Sequence, residues 1–431
     1  MNFLKKQSPV RIISLGFALV ILIGSMLLSL PCSIRDGVTL RYIDALYMST
    51  SAVCVTGLLT VDAGDTFTPL GQFFLGMLIQ VGGLGVTAVG TGVILAMGKK
   101  INLKARNLIR EAGNLDSGKG VIRFIRLVFL TTVTFELAGA ALSFLVFRKS
   151  FPPLKAAGVS LFHSVASFNN SGFDILGGGQ NLIPYQDDIL LNLVTCALVI
   201  FGGIGFLVIR EVIAKRFRWK KLSMHTKVVL FMSLVLTAAG TVLLKLTEDI
   251  TWMGAFFTSV SARTAGFSTF PLGSFSGAGL LTVIVLMVIG ASPGSTGGGI
   301  KTTTCYVLVE GIRSSATNTS EKAFRYAVPA DAFRKAAVIT LLALGIVLTG
   351  TYILVILEPG VPFLDALFEM SSAFGTAGLS TGISAGLCDA AKILTILIMF
   401  IGRLGPLTIA SLWYFTKGER VSYPEGNIAI G

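Results

Sequence analysis

Eight apolar runs, each long enough to cross a bilayer, dictate what this chain can become. They fall at residues 12–30, 73–97, 124–147, 189–209, 228–246, 278–308, 336–357 and 393–415, and a transmembrane helix needs about 20 such residues. Only 13% of the 431 residues are charged, against the ~25% of soluble domains, and mean hydropathy is +0.79. A soluble globular enzyme is excluded. Intrinsic disorder, which needs low hydrophobicity, is excluded with it. The first run follows Lys5, Lys6 and Arg11, as a signal peptide would, but it exceeds the ~7–15 residues of a signal core and Pro31-Cys32 is no small-residue cleavage site. It reads as an uncleaved span, and the fold class as an all-α polytopic membrane protein.

Charge orients the spans. The net charge of +13 comes in blocks between apolar runs, as cytoplasmic loops require, so it points to a lipid bilayer and not to nucleic acid. The N-terminus holds Lys5, Lys6 and Arg11, the stretch 99–126 eight basic residues, 210–227 seven, and 301–335 six. The other connectors carry Asp62, Asp65, Asp187, Asp188, Glu248, Asp249, Glu358 and Asp365 and should face outward; Arg148, Lys149 and Lys155 run against the trend. The chain is expected to be a multi-pass protein of the cytoplasmic membrane with both termini cytoplasmic. Five cysteines stand singly, with no spacing for a disulfide framework or a metal site.

The four outward connectors contain a repeat: LYMSTSAVCVTGLLTVD (46–62), LFHSVASFNNSGFDILG (161–177), FFTSVSARTAGFSTFPL (256–272) and LFEMSSAFGTAGLSTGI (367–383). Each starts as an amphipathic turn or two and reaches one glycine (Gly57, Gly172, Gly266, Gly378) followed by a large apolar residue. These glycines lie 115, 94 and 112 residues apart, close to a quarter of the chain. The expected architecture is four tandem helix–pore-loop–helix repeats around a pseudo-fourfold central pore. Repeat 1 covers 1–98, repeat 2 with its flanking basic loops 99–227, repeat 3 228–320, and repeat 4 with the cytoplasmic C-terminus 321–431.

Re-entrant backbone at membrane depth is tolerated where it lines a water-filled path or is buried in protein. Four such loops can turn carbonyls toward one axis and replace the hydration shell of a monovalent cation. Glycine suits this because alternating carbonyl directions need a φ that a Cβ penalises. The expected lining is Val55, Thr56 and Gly57; Asn170, Ser171 and Gly172; Thr264, Ala265 and Gly266; and Thr376, Ala377 and Gly378.

VTGL, NSGF, TAGF and TAGL at this spacing on eight spans resemble the Ktr/Trk/HKT superfamily of cation transporters over essentially the whole chain. The lack of extra N-terminal spans and the ending MFIGRLGPLT (399–408) with VSYPEG (421–426) resemble the Ktr branch and its membrane pore subunit. That resemblance implies potassium uptake through one pore per subunit, a homodimer, and a cytoplasmic ring of nucleotide-binding (KtrA-like) regulatory subunits. It also implies that serine at the first filter glycine goes with sodium transport. Gly57 favours potassium, with a sodium-selective or sodium-coupled member of the same fold as the alternative. The second loop, with Asn170-Ser171, departs most from the pattern.

The sixth run is interrupted by IGASPGSTGGGIK (289–301). Gly290, Gly294, Gly297, Gly298, Gly299 and Pro293 cannot continue a helix without cost, and the segment resembles the family's intramembrane gating loop beneath the filter. Arg403 is expected near the centre of the last span, where a charge costs ~2.5–3.5 kcal/mol on insertion scales. IGRLGP resembles the family's pore arginine, so Arg403 is expected to contact the 290–299 loop as an electrostatic barrier. Two nucleotide-like strings, 294–302 and 83–88, lack the strand–turn–helix context of phosphate loops, so no organic cofactor is expected on this chain. Arg263 and Glu369 should pair behind the lining, His163 should be a packed helix residue, and Glu136 is unassigned. An alternating-access transporter would break two helices in inverted halves, whereas one inner run is visibly interrupted here. An embedded enzyme would need convergent nucleophiles or metal ligands, which His163 and His225 do not supply.

Overall fold

The computed structural model describes residues 9–96 and 120–411. Lys5 and Lys6, most of the basic stretch 99–126 and the VSYPEG segment lie outside the described residues. Within them one helical order occurs four times. A long helix comes first, then a short one, then an apolar helix that breaks before its continuation. The long helices are α1 (Pro9–Leu28), α5 (Val121–Phe147), α9 (Met224–Thr247) and α13 (Ala332–Leu357). The short ones are α2 (Tyr42–Cys54), α6 (Pro153–Phe168), α10 (Trp252–Ser261) and α14 (Phe363–Gly375). The broken pairs are α3 (Pro69–Leu84) with α4 (Val86–Ala96), α7 (Ile189–Ile204) with α8 (Phe206–Ala214), α11 (Gly277–Val288) with α12 (Thr302–Thr317), and α15 (Asp389–Leu404) with α16 (Pro406–Ser411).

Local chemistry sets these boundaries. Thr68, Asp188, Ser223, Thr251 and Ser276 each accept the backbone N–H of the third residue of the helix they precede, satisfying a donor that would otherwise be orphaned. Among the described residues, four helices are long and apolar enough to cross a membrane, and α7 with α8 makes a fifth span bent by 96°. Their outer faces are apolar: Leu130 is 68% exposed, Leu234 70% and Leu341 70%. The interior, beside its apolar core, carries polar groups, with Ser49, Ser51, Ser164, Ser167, Ser259, Ser371 and Ser372 all buried. That inversion fits a bilayer surround, where polar groups are satisfied inside the bundle.

Each long helix packs on the short helix that follows it. Each apolar inner helix also packs on the short helix of the next unit: α3 on α6, α7 on α10, α11 on α14, and α15 back on α2. The last contact joins the two ends of the chain, and Lys392 Nζ on α15 lies 2.6 Å from Asp44 Oδ1 on α2, both side chains buried.

The sequence reading of a single interrupted inner run is corrected here. All four break. Gly85, Gly205 and Gly405 adopt the same left-handed-φ conformation, with φ of 86°, 93° and 90° and ψ of 133°, 143° and 139°. One turn earlier, Gly82, Gly202 and Gly402 abut the backbone carbonyls of Val53, Phe168 and Phe374, leaving no room for a Cβ. Gly402→Ala should therefore separate α15 from α14 at an overpacking cost of about 1–3 kcal/mol. A lower unfolding temperature in detergent than for Gly345→Ala, whose site is open, is the expected result; equal temperatures would contradict this packing argument.

Candidate functional site

The short helices end alike. Val55, Asn170, Thr264 and Thr376, the first residue past or near each helix end, all have positive φ (57°, 58°, 74° and 49°). Two residues on, Gly57, Gly172, Gly266 and Gly378 are positive again, at 94°, 67°, 79° and 81°. Left-handed backbone at β-branched residues is uncommon and costs ~1–3 kcal/mol per residue, a strain concentrated at functional sites. It is held here by hydrogen bonds back to the helix: Thr56 N to Ser51 O at 2.7 Å, Ser171 N to Ala166 O at 2.9 Å, Ala265 N to Ser261 O at 2.8 Å and Ala377 N to Ser372 O at 2.9 Å. Gly57 N adds a bond to Ser51 Oγ at 3.0 Å.

The N–H groups therefore turn backward, and the carbonyls are presented forward. The four segments meet in cyclic order. A Cβ on Gly57 would strike Ser171 O, one on Gly172 would lie 2.8 Å from Ala265 O, one on Gly266 2.9 Å from Ala377 O, and one on Gly378 would strike Thr56 O. No hydrogen-bond donor among the described residues reaches these four carbonyl oxygens. The expected lining residues are thus brought together, all twelve buried or at the ring itself. Beyond the glycines opens a cavity of about 490 Å³, lined by Gly57, Gly266, Gly378, Asp62, Asp174 and Asn181 among others.

Beneath the ring lies the 289–301 segment. Ile289 and Ile300 form a parallel bridge, so the loop leaves and returns at one level. Gly298 N donates to Thr376 Oγ1 at 3.0 Å, Gly297 abuts Thr264 Oγ1, and Thr296 Oγ1 reaches Phe168 O at 3.3 Å. Ser292 N and Thr296 N donate to Gly203 O and Gly202 O at 3.0 and 3.2 Å, and Phe206 N to Gly294 O at 3.1 Å. The loop touches three of the four units at once. Arg403 joins it to the first: its guanidinium donates to Thr296 O in the loop and to Gly82 O, with Gly83 O at 3.3 Å. The expected Arg403–loop contact is present.

Some residues escaped the sequence reading. Lys301 Nζ bonds Gly297 O at 2.8 Å and Gly298 O at 3.4 Å, although Lys301 had been counted as an ordinary loop cation. The three matched inner-helix breaks were legible as G-x-[LI]-G at 82–85, 202–205 and 402–405, with Arg403 standing where the other copies have Gly83 and Gly203. The expected Arg263–Glu369 pair does not form. Glu369 accepts from Ser380 Oγ at 2.7 Å and from Ser384 Oγ, bracing its own loop. Arg263 instead donates to Ser233 O, Ser233 Oγ and Thr237 Oγ1 on α9. Glu136 takes a bond from Asn169 Nδ2 at 3.0 Å, beside the second loop. His163 is a packed helix residue, 2.9 Å from Thr195 Oγ1 between the edges of Phe147 and Phe267.

Known proteins share this arrangement. The TrkH profile, described as a cation transport protein, matches residues 12–416. The Ktr system potassium uptake protein B of Bacillus subtilis (strain 168) is 37% identical over 98% of this chain and 97% of its own length. The potassium/sodium uptake protein NtpJ of Enterococcus hirae is 35% identical over 99% and 98%. The crystal structure of the potassium transporter TrkH from Vibrio parahaemolyticus superposes with a TM-score of 0.75 over 95% of this chain and 86% of that one; at 19% identity it speaks to the fold alone. The chain belongs to the TrkH/Ktr family of cation transport proteins.

Proposed function

We propose that the protein carries potassium ions across the cytoplasmic membrane through the ring formed by residues 55–57, 170–172, 264–266 and 376–378. The observation that carries the reading is the cyclic seating of Gly57, Gly172, Gly266 and Gly378 against the next unit's carbonyl, with those four oxygens free of internal donors. Carbonyl dipoles in a ring replace a monovalent ion's hydration shell without a fixed charge that would trap it. The four helical units then act as the four repeats 1–98, 99–227, 228–320 and 321–431. They give eight spans about a pseudo-fourfold axis, with both termini cytoplasmic. The 289–301 loop, tied by Lys301 and Arg403, is the gate.

Because every inner helix is broken, one helix break cannot argue against alternating access; the fourfold recurrence of one helix order, without inversion, disfavours it instead. The naming of relatives as Ktr system proteins supports membership of a multi-subunit system; the assembly proposed is a homodimer on a cytoplasmic nucleotide-binding regulatory ring, with the basic 210–227 surface as its contact. The relative named for both potassium and sodium keeps sodium as the second ion. Rubidium and sodium uptake into proteoliposomes tests the whole reading: rubidium should enter faster under equal gradients. Sodium entering faster would overturn the potassium assignment, and neither entering with the regulatory partner added would overturn the pore.

The outer cavity sets a pH dependence. Burial, with Asp62 and Asp65 adding like charge, pushes the Asp174 carboxyl up to about 7. A raised carboxylate pKa means Asp174 is neutral below that pH and negative above it. The negative form concentrates cations at the mouth, so uptake from dilute rubidium should rise as pH passes from about 6 to about 8. Asp174→Asn should hold uptake at the low-pH level throughout; an unchanged profile in that variant would remove Asp174 from the account.

A further inference from the structure

A second cavity, about 420 Å³ and almost wholly apolar, opens on the outer surface between α5, α7, α8, α9 and α10, behind the third carbonyl-bearing segment. Its walls include Val199, Ile204, Val212 and Val260, and its mouth is formed by the exposed side chains of Ile213, Phe217 and Leu234. Ala291 of the 289–301 loop forms part of its floor. The volume falls within the ~300–1,000 Å³ of small-molecule sites, and a cavity facing hydrocarbon is filled from the bilayer.

One charge lines it. Arg263 has no carboxylate within 4.0 Å among the described residues. Its three hydrogen bonds go to Ser233 O at 3.1 Å, Thr237 Oγ1 at 3.2 Å and Ser233 Oγ at 3.3 Å, all on residues that also line the cavity. A guanidinium carries five N–H donors; Nε is buried without a partner, and one Nη2 hydrogen is left for a ligand in the cavity. Charges at membrane depth pair with an opposite charge or with backbone carbonyls, or face water; Arg263 has one carbonyl, Ser233 O, and no opposite charge among the described residues. The cavity thus presents an apolar slot ending at an unpaired cation flanked by two hydroxyls.

We propose that this cavity binds a free long-chain fatty acid drawn from the bilayer, its chain along the apolar wall and its carboxylate on Arg263, Ser233 and Thr237. A carboxylate would take a charge-assisted bond from the remaining Nη2 hydrogen and accept from the Ser233 and Thr237 hydroxyls beside it. A phospholipid headgroup is anchored at the interface, and a neutral acyl chain would leave the donors unsatisfied.

The test uses the full-length protein in liposomes with a diazirine-bearing fatty acid, and peptide mapping of the photo-labelled chain. Labels should concentrate on 199–217 and 230–237, and oleate should compete about tenfold better than methyl oleate, a difference of about 1.4 kcal/mol. Arg263→Gln should abolish that difference, Arg263→Lys should keep most of it, and Leu234→Trp, at the mouth, should block labelling. Equal competition by acid and ester in the natural protein would overturn the proposal, as would labels spread evenly over the lipid-facing helices. Photocrosslinks joining two chains at Leu234 would assign the cavity to a second copy and overturn it as well. The acid-against-ester comparison needs no variant, so a misfolded Arg263→Gln chain leaves the test intact.

Discussion

Proteoliposomes holding the Gly57→Ser protein should lose the preference for rubidium over sodium, with the ratio of the two uptake rates falling about ten- to hundredfold. The physical reason is local. Gly57 sits at φ 94°, where a side chain is strained by about 1–3 kcal/mol, and the expected loss corresponds to about 1.4–2.7 kcal/mol in the difference between the two ions' barriers. The Cβ would also strike Ser171 O and come within 3.2 Å of Gly172 Cα. Neither neighbour is a flexible side-chain tip; both are backbone of the same ring. The Ser171 carbonyl must therefore move, and the spacing that distinguishes a larger from a smaller ion moves with it. Gly37→Ser separates strain from crowding, because Gly37 has φ 80° with nothing within 4 Å. It should destabilise without touching ion preference. A Gly57→Ser protein that still prefers rubidium would remove Gly57 from the ion path.

The four glycines were legible in the sequence because a backbone turned against the Cβ rule leaves glycine as its trace, and four traces at a common spacing are hard to produce otherwise. The neighbouring strain left none. Val55, Thr264 and Thr376 are β-branched, and sequence alone gives no reason to put them at positive φ; only the helix end above and the ring below force it. The breaks at Gly85, Gly205 and Gly405 were missed for a related reason. Each glycine in the 82–85, 202–205 and 402–405 strings costs an apolar helix only about 1 kcal/mol, and with no proline inside them they read as close helix packing, whereas Pro293 amid five glycines reads as a break at once. Lys301 and Lys392 were missed because charge was read by block. Lys301, at the head of the basic stretch 301–335, looks like its neighbours until its Nζ is found on the Gly297 carbonyl, and Lys392, which belongs to no basic block, is passed over until its Nζ is found on the Asp44 carboxylate. Arg263 and Glu369 failed as a pair because both lie on filter-bearing segments yet each is consumed nearer home, by α9 and by Ser380 with Ser384.

Arg403 carries the other large expected effect. It is the cross-tie between the last inner helix, the 289–301 loop and the break in the first inner helix, through Thr296 O, Gly82 O and Gly83 O. A hydrogen bond from a charged donor contributes about 1.5–3 kcal/mol, so losing the fork should shift the loop toward its displaced state by tenfold or more. Arg403→Gln should accordingly raise rubidium flux through the protein alone in liposomes by about that factor. Two causes are combined in that variant, because glutamine also removes a positive charge from the cation path. Arg403→Lys parts them: it keeps the charge, but a single ammonium lacks the planar fork that reaches two elements at once. If flux rises in both variants, the tether is what closes the path; if it rises in Arg403→Gln alone, the charge is. Flux unchanged in both would mean that Arg403 braces the fold without governing conduction, and the gate would then rest on Lys301 and the loop's own bonds to Thr376 and Gly203.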